Sequence, residues 1–356
     1  MLYYLYEHFG INIFHYISVR AIIAFFIAFA LTMLLMPKYI KWAKSKNAIQ
    51  PINEYAPENH QEKKNTPTMG GIVFIFSALV AVILCAKFNF YVLLSLVTAI
   101  LFMLIGIYDD YKKITHKNNL EGLSTKEKFI VQSIAALIIS FALYFYGFDT
   151  HFYVPFYKQP LFDMGIFAPF FWAFVIVGMS NAVNLTDGLD GLATVPSIFS
   201  FLTLSILLYL MGNAVFSSYL YLPFELGVGE VVIISTAFMG ALLGFLWYNA
   251  NPAHVYMGDS GSLTLGALIG LFGIITKSEI LLGLIGFIFV IETLSVIIQV
   301  TSVRYRNKKV FKMAPIHHHF EKKEEDEKWS ETQISVRFWI IALIANIIAI
   351  LSIKIR

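Results

Sequence analysis

Ten long apolar runs constrain the fold of this chain more than any other feature. Each is close to the roughly 20 residues that a helix needs to cross a bilayer, and charged or turn-rich breaks separate them. Uninterrupted apolar runs lack the alternation of barrel strands, so we expect helices. The sequence therefore predicts an all-α, polytopic integral membrane protein with about ten transmembrane helices. The runs span residues 17–36, 70–88, 91–108, 129–147, 167–183, 192–211, 231–248, 262–276, 280–300 and 337–353.

Composition supports the same class of fold. Of 356 residues, 58% are hydrophobic and 14% are charged, whereas ordinary soluble domains carry about 25% charged residues. The net charge of +3 is small and no basic stripe with interleaved aromatics is present, so no nucleic-acid partner is expected. The single cysteine, Cys85, leaves no intrachain disulfide. We predict one membrane domain over residues 1–356 within the lipid bilayer, with Arg20 snorkelling at the outer end of the first run.

The distribution of basic residues predicts the orientation of the chain. Most of the 26 Lys and Arg residues fall in loops that follow odd-numbered runs. Cytoplasmic loops are enriched in Lys and Arg, so these loops should be cytoplasmic and both termini periplasmic. The unusual polar sequences lie in the same loops, and we expect them to form one polar face. They fall within residues 37–69, 109–128, 184–191, 249–261 and 301–336.

Two of these loops carry paired carboxylates. Asp109 and Asp110 directly follow the third run, and Asn184-Leu-Thr-Asp-Gly-Leu-Asp-Gly follows the fifth. Mg²⁺ favours oxygen ligands, often one or two carboxylates plus substrate phosphates, and glycine lets a backbone approach a ligand closely. A charged helix end would also explain Asp109 and Asp110, and a turn would explain one Asp-Gly pair but rarely two. The pattern favours metal and phosphate chemistry.

Two further loops combine glycines with charged or hydroxyl groups. Lys63-Lys-Asn-Thr-Pro-Thr-Met-Gly-Gly precedes the second run, and Met257-Gly-Asp-Ser-Gly precedes the eighth. The first can form a phosphate cradle at a helix start, although it lacks the Walker spacing and also fits an ordinary loop and cap. In the second, Asp259 can hold a cation or act as an N-cap, and the two roles are compatible.

The last of these loops contains three histidines, and the apolar run before it contains a glutamate. His317, His318 and His319 are adjacent, so their side chains should diverge and are poor ligands for one zinc ion. Imidazoles can instead bind phosphate or exchange protons near neutral pH, and incidental loop histidines are the alternative. Glu292 lies inside the ninth run. A carboxylate there is costly, so we expect it to orient the histidine loop or to line a cavity.

Five motifs taken together, in this order, resemble one known family. They are Thr66-Pro-Thr-Met-Gly-Gly, Asp109-Asp110, Asn184-Leu-Thr-Asp-Gly-Leu-Asp-Gly, Met257-Gly-Asp-Ser-Gly and Ala314-Pro-Ile-His-His-His. The chain is similar, from its first loop to its end, to the phospho-N-acetylmuramoyl-pentapeptide-transferases, a branch of the polyprenyl-phosphate phospho-sugar transferases. That resemblance implies transfer of phospho-MurNAc-pentapeptide from UDP-MurNAc-pentapeptide to undecaprenyl phosphate, giving lipid I and UMP. It also implies Mg²⁺, a bacterial inner membrane location, and a possible homodimer.

The resemblance also assigns roles to individual residues. Asp259 matches the Mg²⁺ ligand of the family, and Asp109 and Asp110 match its essential acidic pair, with Asp109 our preferred base. His317 is assigned to the catalytic group. Asn65 and Tyr256 depart from the usual glycine and phenylalanine of the family, and the charged stretch 321–331 is longer than usual. The substrate-binding positions implied are Lys63, Thr68, Lys113, Lys128, Asn184, Asp187, Asn249, Tyr256, His318 and His319.

Other functions remain open at the level of sequence. A sister transferase moving GlcNAc-1-phosphate shares the acidic motifs, but the unbroken histidine triplet favours the muramoyl branch. A CDP-alcohol transferase would show Ala-Arg after its Asp-Gly, and this chain does not. A proton-coupled transporter would explain Glu292, yet it predicts acids buried midway along several helices. Direct attack by the lipid phosphate and a phospho-aspartate intermediate are both compatible with the sequence.

Overall fold

The chain folds into a bundle of helices. The computed structural model describes residues 1–46, 48–49, 66–116, 122–322 and 328–354. Within those residues, nine helices are long and apolar enough to cross a membrane, which confirms the all-α polytopic class. The helices are α1 (Leu2–Phe9), α2 (Ile17–Ser45), α3 (Gly71–Cys85), α4 (Phe90–His116), α5 (Thr125–Phe145), α6 (Ala168–Thr186), α7 (Thr194–Met211), α8 (Ala214–Leu220), α9 (Val231–Asn249), α10 (Gly258–Ile275), α11 (Leu282–Ile285), α12 (Phe287–Arg306), α13 (Ile316–Glu321) and α14 (Glu331–Lys354).

The remaining regular structure is short. A two-stranded antiparallel sheet pairs β1 (His151–Phe152) with β2 (Phe162–Asp163). Among the described residues, three 3₁₀ turns lie at Asn12–His15, Gly165–Phe167 and Val228–Glu230. The second predicted span corresponds to α3, an apolar helix of 15 residues that is shorter than the other nine.

Helix α10 forms the centre of the bundle and packs against α3, α4, α6 and α7. Two glycines make these close contacts possible, Gly106 in α4 and Gly266 in α10 itself. A Cβ added at Gly106 of α4 would lie 2.4 Å from the carbonyl carbon of Asp259, and one at Gly266 would lie 2.3 Å from the carbonyl oxygen of Met179. Because real Cβ atoms do not approach so closely, only glycine allows α10 to sit this near to α4 and α6.

The ninth predicted span, residues 280–300, is broken at Gly286 into α11 and α12. A helix break inside a membrane frees backbone carbonyl groups that need new partners. The Ile285 carbonyl accepts hydrogen bonds from Ser200 Oγ at 2.9 Å and Asn346 Nδ2 at 3.0 Å. The break is therefore a stabilised feature of the fold.

The end of the bundle formed by the starts of α2 and α9, here called the opposite end, holds a buried ion pair. Arg20 is 1% exposed and contacts Glu230 through Nη1–Oε2 at 2.7 Å and Nη2–Oε1 at 2.6 Å. Arg20 Nη1 also donates to the Cys85 carbonyl at 3.2 Å. The prediction that Arg20 snorkels was wrong, because a buried carboxylate 210 positions away supplies its partner.

The loops that follow α2, α4, α6, α9 and α12 meet at the other end of the bundle, here called the polar end. Loop 66–70 bonds to loop 254–257, since Tyr256 N donates to the Pro67 carbonyl at 2.8 Å. The start of α14 joins them, where Ser335 Oγ donates to the Asp190 carbonyl at 3.1 Å. Met1 and the last described turn of α14 consequently lie away from the polar end.

Candidate active site

Two carboxylates and two lysines form the centre of the polar end. Lys113 Nζ lies 2.8 Å from both Asp109 Oδ2 and Asp259 Oδ2. Lys128 Nζ lies 2.6 Å from Asp259 Oδ2 and 3.3 Å from Asp109 Oδ2. We call these four residues the central cluster. Each ammonium group bridges the same two carboxylates, so the cluster concentrates both signs of charge in one place.

Separate elements of the fold bring the central cluster together. Asp109 and Lys113 are one turn apart on α4 and so share a face. Lys128 lies in the first turn of α5, which begins with a capping box between Ser124 and Glu127. The Leu123 N–H that precedes this helix donates to Asp109 Oδ1 at 2.7 Å. The start of α5 is thus tied to α4 at the point where Lys128 is needed.

Asp110 faces the backbone of α10, away from the two lysines. Its Oδ1 accepts the Asp259 N–H and its Oδ2 accepts the Ser260 N–H, both at 3.0 Å. These are free N–H groups at the start of a helix, where a carboxylate also interacts favourably with the helix dipole. Asp110 is 4% exposed. It therefore caps α10 from outside and fixes the position of Asp259.

Asn184 holds the second oxygen of Asp259. Its Nδ2 donates to Asp259 Oδ1 at 2.8 Å and to Ser262 Oγ at 2.9 Å. Ser262 in turn donates to the Gly258 carbonyl at 3.0 Å. The sequence analysis missed Ser262. Ser262 follows Asp259 by three residues and so shares its helix face, which could have indicated that the two side chains bind a common partner.

The donors around Asp259 fit a Mg²⁺ ion. Carboxylate, amide and hydroxyl oxygens of Asp109, Asp259, Asn184 and Ser262 are hard ligands of the kind that Mg²⁺ prefers. Two ammonium groups already lie against the Asp259 carboxylate, which indicates that cations are stabilised there. The described residues contain no cluster of three or more His, Cys, Asp or Glu suited to a metal. Mg²⁺ would therefore take its remaining ligands from water and phosphates, its usual coordination.

The three adjacent histidines face different partners, as predicted. His317 is 1% exposed and its Nδ1 lies 3.1 Å from Glu292 Oε1. His318 Nδ1 lies 2.5 Å from Glu321 Oε2. His319 Nδ1 accepts the Lys312 N–H at 3.1 Å. His317 lies near both Glu292 of α12 and Gly188 after α6, so Glu292 does have a polar neighbour in the histidine loop.

The loop before α3 forms the wall beside Gly258. Tyr39 donates to the Thr68 carbonyl at 2.8 Å, and Gly70 N donates to the Tyr256 carbonyl at 2.9 Å. The buried Thr68 Oγ1 has no hydrogen-bond partner among the described residues, and a Cβ at Gly258 would lie 3.1 Å from it. Thr68 and Tyr256 thus belong to the polar end, whereas Lys63 lies outside the described residues.

Both the oxygen and the nitrogen of the Asn249 side-chain amide form hydrogen bonds to neighbouring loops. Its Oδ1 accepts from Gly191 N at 3.1 Å and from Thr194 Oγ1 at 2.9 Å. Its Nδ2 donates to the Val255 carbonyl at 3.0 Å. The side chain is buried. These contacts explain Asn249 as a residue that ties the loop after α6 to the loop after α9.

Asp187 ends α6 at the edge of the polar end. Burial raises the pKa of its carboxyl group well above its usual range, and nearby carboxylates, chiefly Asp259, raise it further. Asp190, three residues later, accepts from Asn251 Nδ2 at 3.0 Å and Ala253 N at 3.1 Å. The two Asp-Gly pairs therefore differ: Asp190 connects two loops, whereas Asp187 is half-buried at the end of α6.

Comparisons with known proteins show the family of the chain. The family model "Glycosyl transferase family 4" matches residues 92–277, which contain the central cluster. The model "Phospho-N-acetylmuramoyl-pentapeptide-transferase signature 1" matches residues 63–75, a segment that includes the wall beside Gly258 and the start of α3. More than half of the chain is thus covered by the first model, and a motif specific to one branch is covered by the second.

Curated relatives match over the whole length. A phospho-N-acetylmuramoyl-pentapeptide-transferase of Nautilia profundicola is 63% identical over 356 residues, covering 100% of both chains. Those of Aliarcobacter butzleri and Campylobacter jejuni strain RM1221 are 59% and 58% identical, each over 357 residues and 100% of both chains. This chain therefore belongs to the phospho-N-acetylmuramoyl-pentapeptide-transferase family.

Proposed function

We propose that this chain transfers phospho-MurNAc-pentapeptide from UDP-MurNAc-pentapeptide to undecaprenyl phosphate, releasing UMP and forming lipid I in peptidoglycan synthesis. The observation that carries this proposal is the central cluster, in which Lys113 and Lys128 lie against Asp109 and Asp259 at the end of a membrane bundle. Phosphoryl transfer is catalysed chiefly by positioning and by charge. The cluster supplies cations for phosphate oxygens beside carboxylates suited to Mg²⁺.

The proposal includes an orientation in the membrane. Lys and Arg are concentrated in the loops of the polar end, which supports a cytoplasmic polar end and periplasmic termini in the bacterial inner membrane. A UDP-linked donor and Mg²⁺ are both available in the cytoplasm. The lipid acceptor would reach the same end from the bilayer.

We assign the chemistry as follows. Mg²⁺ held by Asp259, with Asp109 beside it, would supply positive charge against the phosphate oxygens of the donor. Lys113 and Lys128 bind and orient the diphosphate, with side chains 20% and 15% exposed and so accessible from solvent. Asp110 keeps Asp259 in place by capping α10. We assign Asp187, half-buried at the end of α6, to binding of the nucleobase.

The bonding of Asp109 supports direct attack by the lipid phosphate. One of its oxygens accepts the Leu123 N–H and the other contacts two lysines, so a nucleophilic role for Asp109 would require one of these contacts to break. A phosphomonoester has a second pKa of about 6, so the lipid phosphate is already largely ionised at neutral pH and needs little help from a base. Incubation with ³²P-labelled donor in the absence of lipid should therefore label no protein. Trapping of a phosphorylated Asp109 would contradict direct attack.

A donor comparison tests the proposed reaction. Purified protein with undecaprenyl phosphate and Mg²⁺ should release UMP from UDP-MurNAc-pentapeptide and not from UDP-GlcNAc. Omission of the lipid should stop release, and replacing Mg²⁺ with a chelator should do the same. Absence of UMP with the muramoyl donor would contradict the proposal. Release from UDP-GlcNAc alone would instead indicate the sister transferase.

A further inference from the structure

We propose that Glu292 and His317 form a buried dyad that fixes the Asp187-Gly188 turn, so that Glu292 is a positioning residue for binding of the UDP-linked donor. This inference rests on the proposed function and assigns to that site a residue remote from the central cluster. It is based on two successive contacts: the Glu292 carboxylate lies against the His317 imidazole, and that imidazole lies against Gly188.

The first contact joins Glu292 to His317. Glu292 lies in α12 and is 0% exposed, and its Oε1 is 3.1 Å from His317 Nδ1. A buried carboxylate is costly in a membrane helix unless it has a polar partner. A carboxylate this close to Nδ1 attracts that edge of the imidazole and so restrains the orientation of the ring. Glu292 thereby determines where His317 Nε2 points.

The second contact joins His317 to the turn after α6. A Cβ added at Gly188 would lie 2.5 Å from His317 Nε2 and 2.9 Å from Cε1. The imidazole edge therefore rests against the bare Cα of Gly188, and no larger residue fits without moving the ring or the turn. Within the described part of the chain, neither ring nitrogen of His317 and neither oxygen of Glu292 has a hydrogen-bond partner, so the two groups are joined by close electrostatic contact. The role of the His317 ring in this arrangement is therefore its packing contact with Gly188.

The arrangement connects three elements of the fold. Helix α12 packs against α6 and α13, so Glu292 lies between the helix that ends at Asp187 and the helix that carries His317. A shift of α12 would move the His317 imidazole and, through it, the Asp187-Gly188 turn. Because Asp187 directly precedes Gly188, the dyad would act on the residue assigned to nucleobase binding. Loss of the dyad should then weaken donor binding more than it slows the chemical step.

Steady-state kinetics of UMP release test this inference. Glu292→Gln and Gly188→Ala should each raise KM for UDP-MurNAc-pentapeptide roughly tenfold or more, with a smaller change in kcat, as expected for residues that orient other groups. Glu279→Gln is the matched control, because Glu279 is a second buried glutamate without hydrogen bonds in the described residues, remote from the polar end. Its KM should stay within about twofold of the wild-type value.

A double substitution separates a positioning role from a general structural one. If Glu292 acts through His317, His317→Ala combined with Glu292→Gln should raise KM no more than His317→Ala alone. Additive losses, or losses in kcat with unchanged KM, would overturn the inference. Should Glu292→Gln fail to fold, Gly188→Ala tests the same contact from the exposed turn. A wild-type protein that releases no UMP would refute the proposed function, whereas an active wild type with an unaltered Gly188→Ala variant would refute the dyad alone.

Discussion

The two ends of the bundle both contain buried charges, but the charges are arranged in opposite ways. At the opposite end, both oxygens of Glu230 accept hydrogen bonds from Arg20, and one of them also accepts from Lys87 N at 3.0 Å. The pair is closed, since Arg20 is 1% exposed. At the polar end, two lysines share two carboxylates and remain partly exposed to solvent.

This difference indicates what each group of charges does. A closed bidentate pair has little capacity left for a ligand and serves to fix helices α2 and α9 against the α3–α4 connection. The lysines of the central cluster can exchange one oxygen partner for another without leaving their helices. Charges that stabilise the fold and charges that bind a substrate can thus be distinguished by their exposure to solvent.

The closed pair should dominate stability. Arg20→Met leaves Glu230 buried without its charged partner, so we expect the protein to lose about 3–5 kcal/mol of unfolding free energy. Turnover per folded molecule should change little, because the pair lies at the opposite end. Thermal unfolding in detergent and UMP release at a permissive temperature measure the two effects. Unchanged stability would show that the ion pair is not needed by the fold.

The open cluster should dominate activity. Asp259→Asn removes a charge that two lysines and the proposed Mg²⁺ share, and turnover should fall roughly 10²–10³-fold, as when another electrostatic catalytic group is removed. The loss should persist at high Mg²⁺. Unfolding temperature should stay close to the wild-type value, in contrast to Arg20→Met. Near-normal turnover would show that Asp259 is not the metal ligand.

Close helix packing at the polar end should affect both properties. In Gly106→Ala the new methyl group would overlap the Asp259 backbone at 2.4 Å, so α10 must move away from α4. We expect a destabilisation of about 1–3 kcal/mol together with lower turnover. Gly178→Ala is the matched control, since a Cβ there meets nothing within 4 Å. Equal behaviour of the two variants would argue against a tight α4–α10 contact.

A substitution at the break between α11 and α12 should have the smallest effect on stability and activity. Asn346→Leu removes the hydrogen bond to the Ile285 carbonyl and leaves Thr203 Oγ1 without its acceptor at 2.7 Å. A loss of about 1–2 kcal/mol in unfolding free energy is expected, with turnover near that of the wild type. Thermal unfolding provides the measurement, and a stabilised variant would contradict the role given to Asn346.

The sequence predicted helices well because the length of an apolar run depends only on neighbouring residues. It also placed the acidic, glycine and histidine motifs in loops that do meet at one end. Asp110 shows what could not be foreseen: its two oxygens bind backbone N–H groups about 150 positions away, so its role depends on tertiary packing. Arg20 gave a wrong prediction for the same reason, since its partner is distant in sequence.

The most direct test compares one cation from each end in the same reaction. UMP release from UDP-MurNAc-pentapeptide, with undecaprenyl phosphate and Mg²⁺, would be measured per folded molecule for the wild type, Arg20→Met and Lys128→Met. We predict similar rates for the wild type and Arg20→Met, and a rate at least roughly 100-fold lower for Lys128→Met. Equal rates for all three proteins would contradict the central cluster as the site of phosphate binding, and no release by the wild type would contradict the proposed reaction.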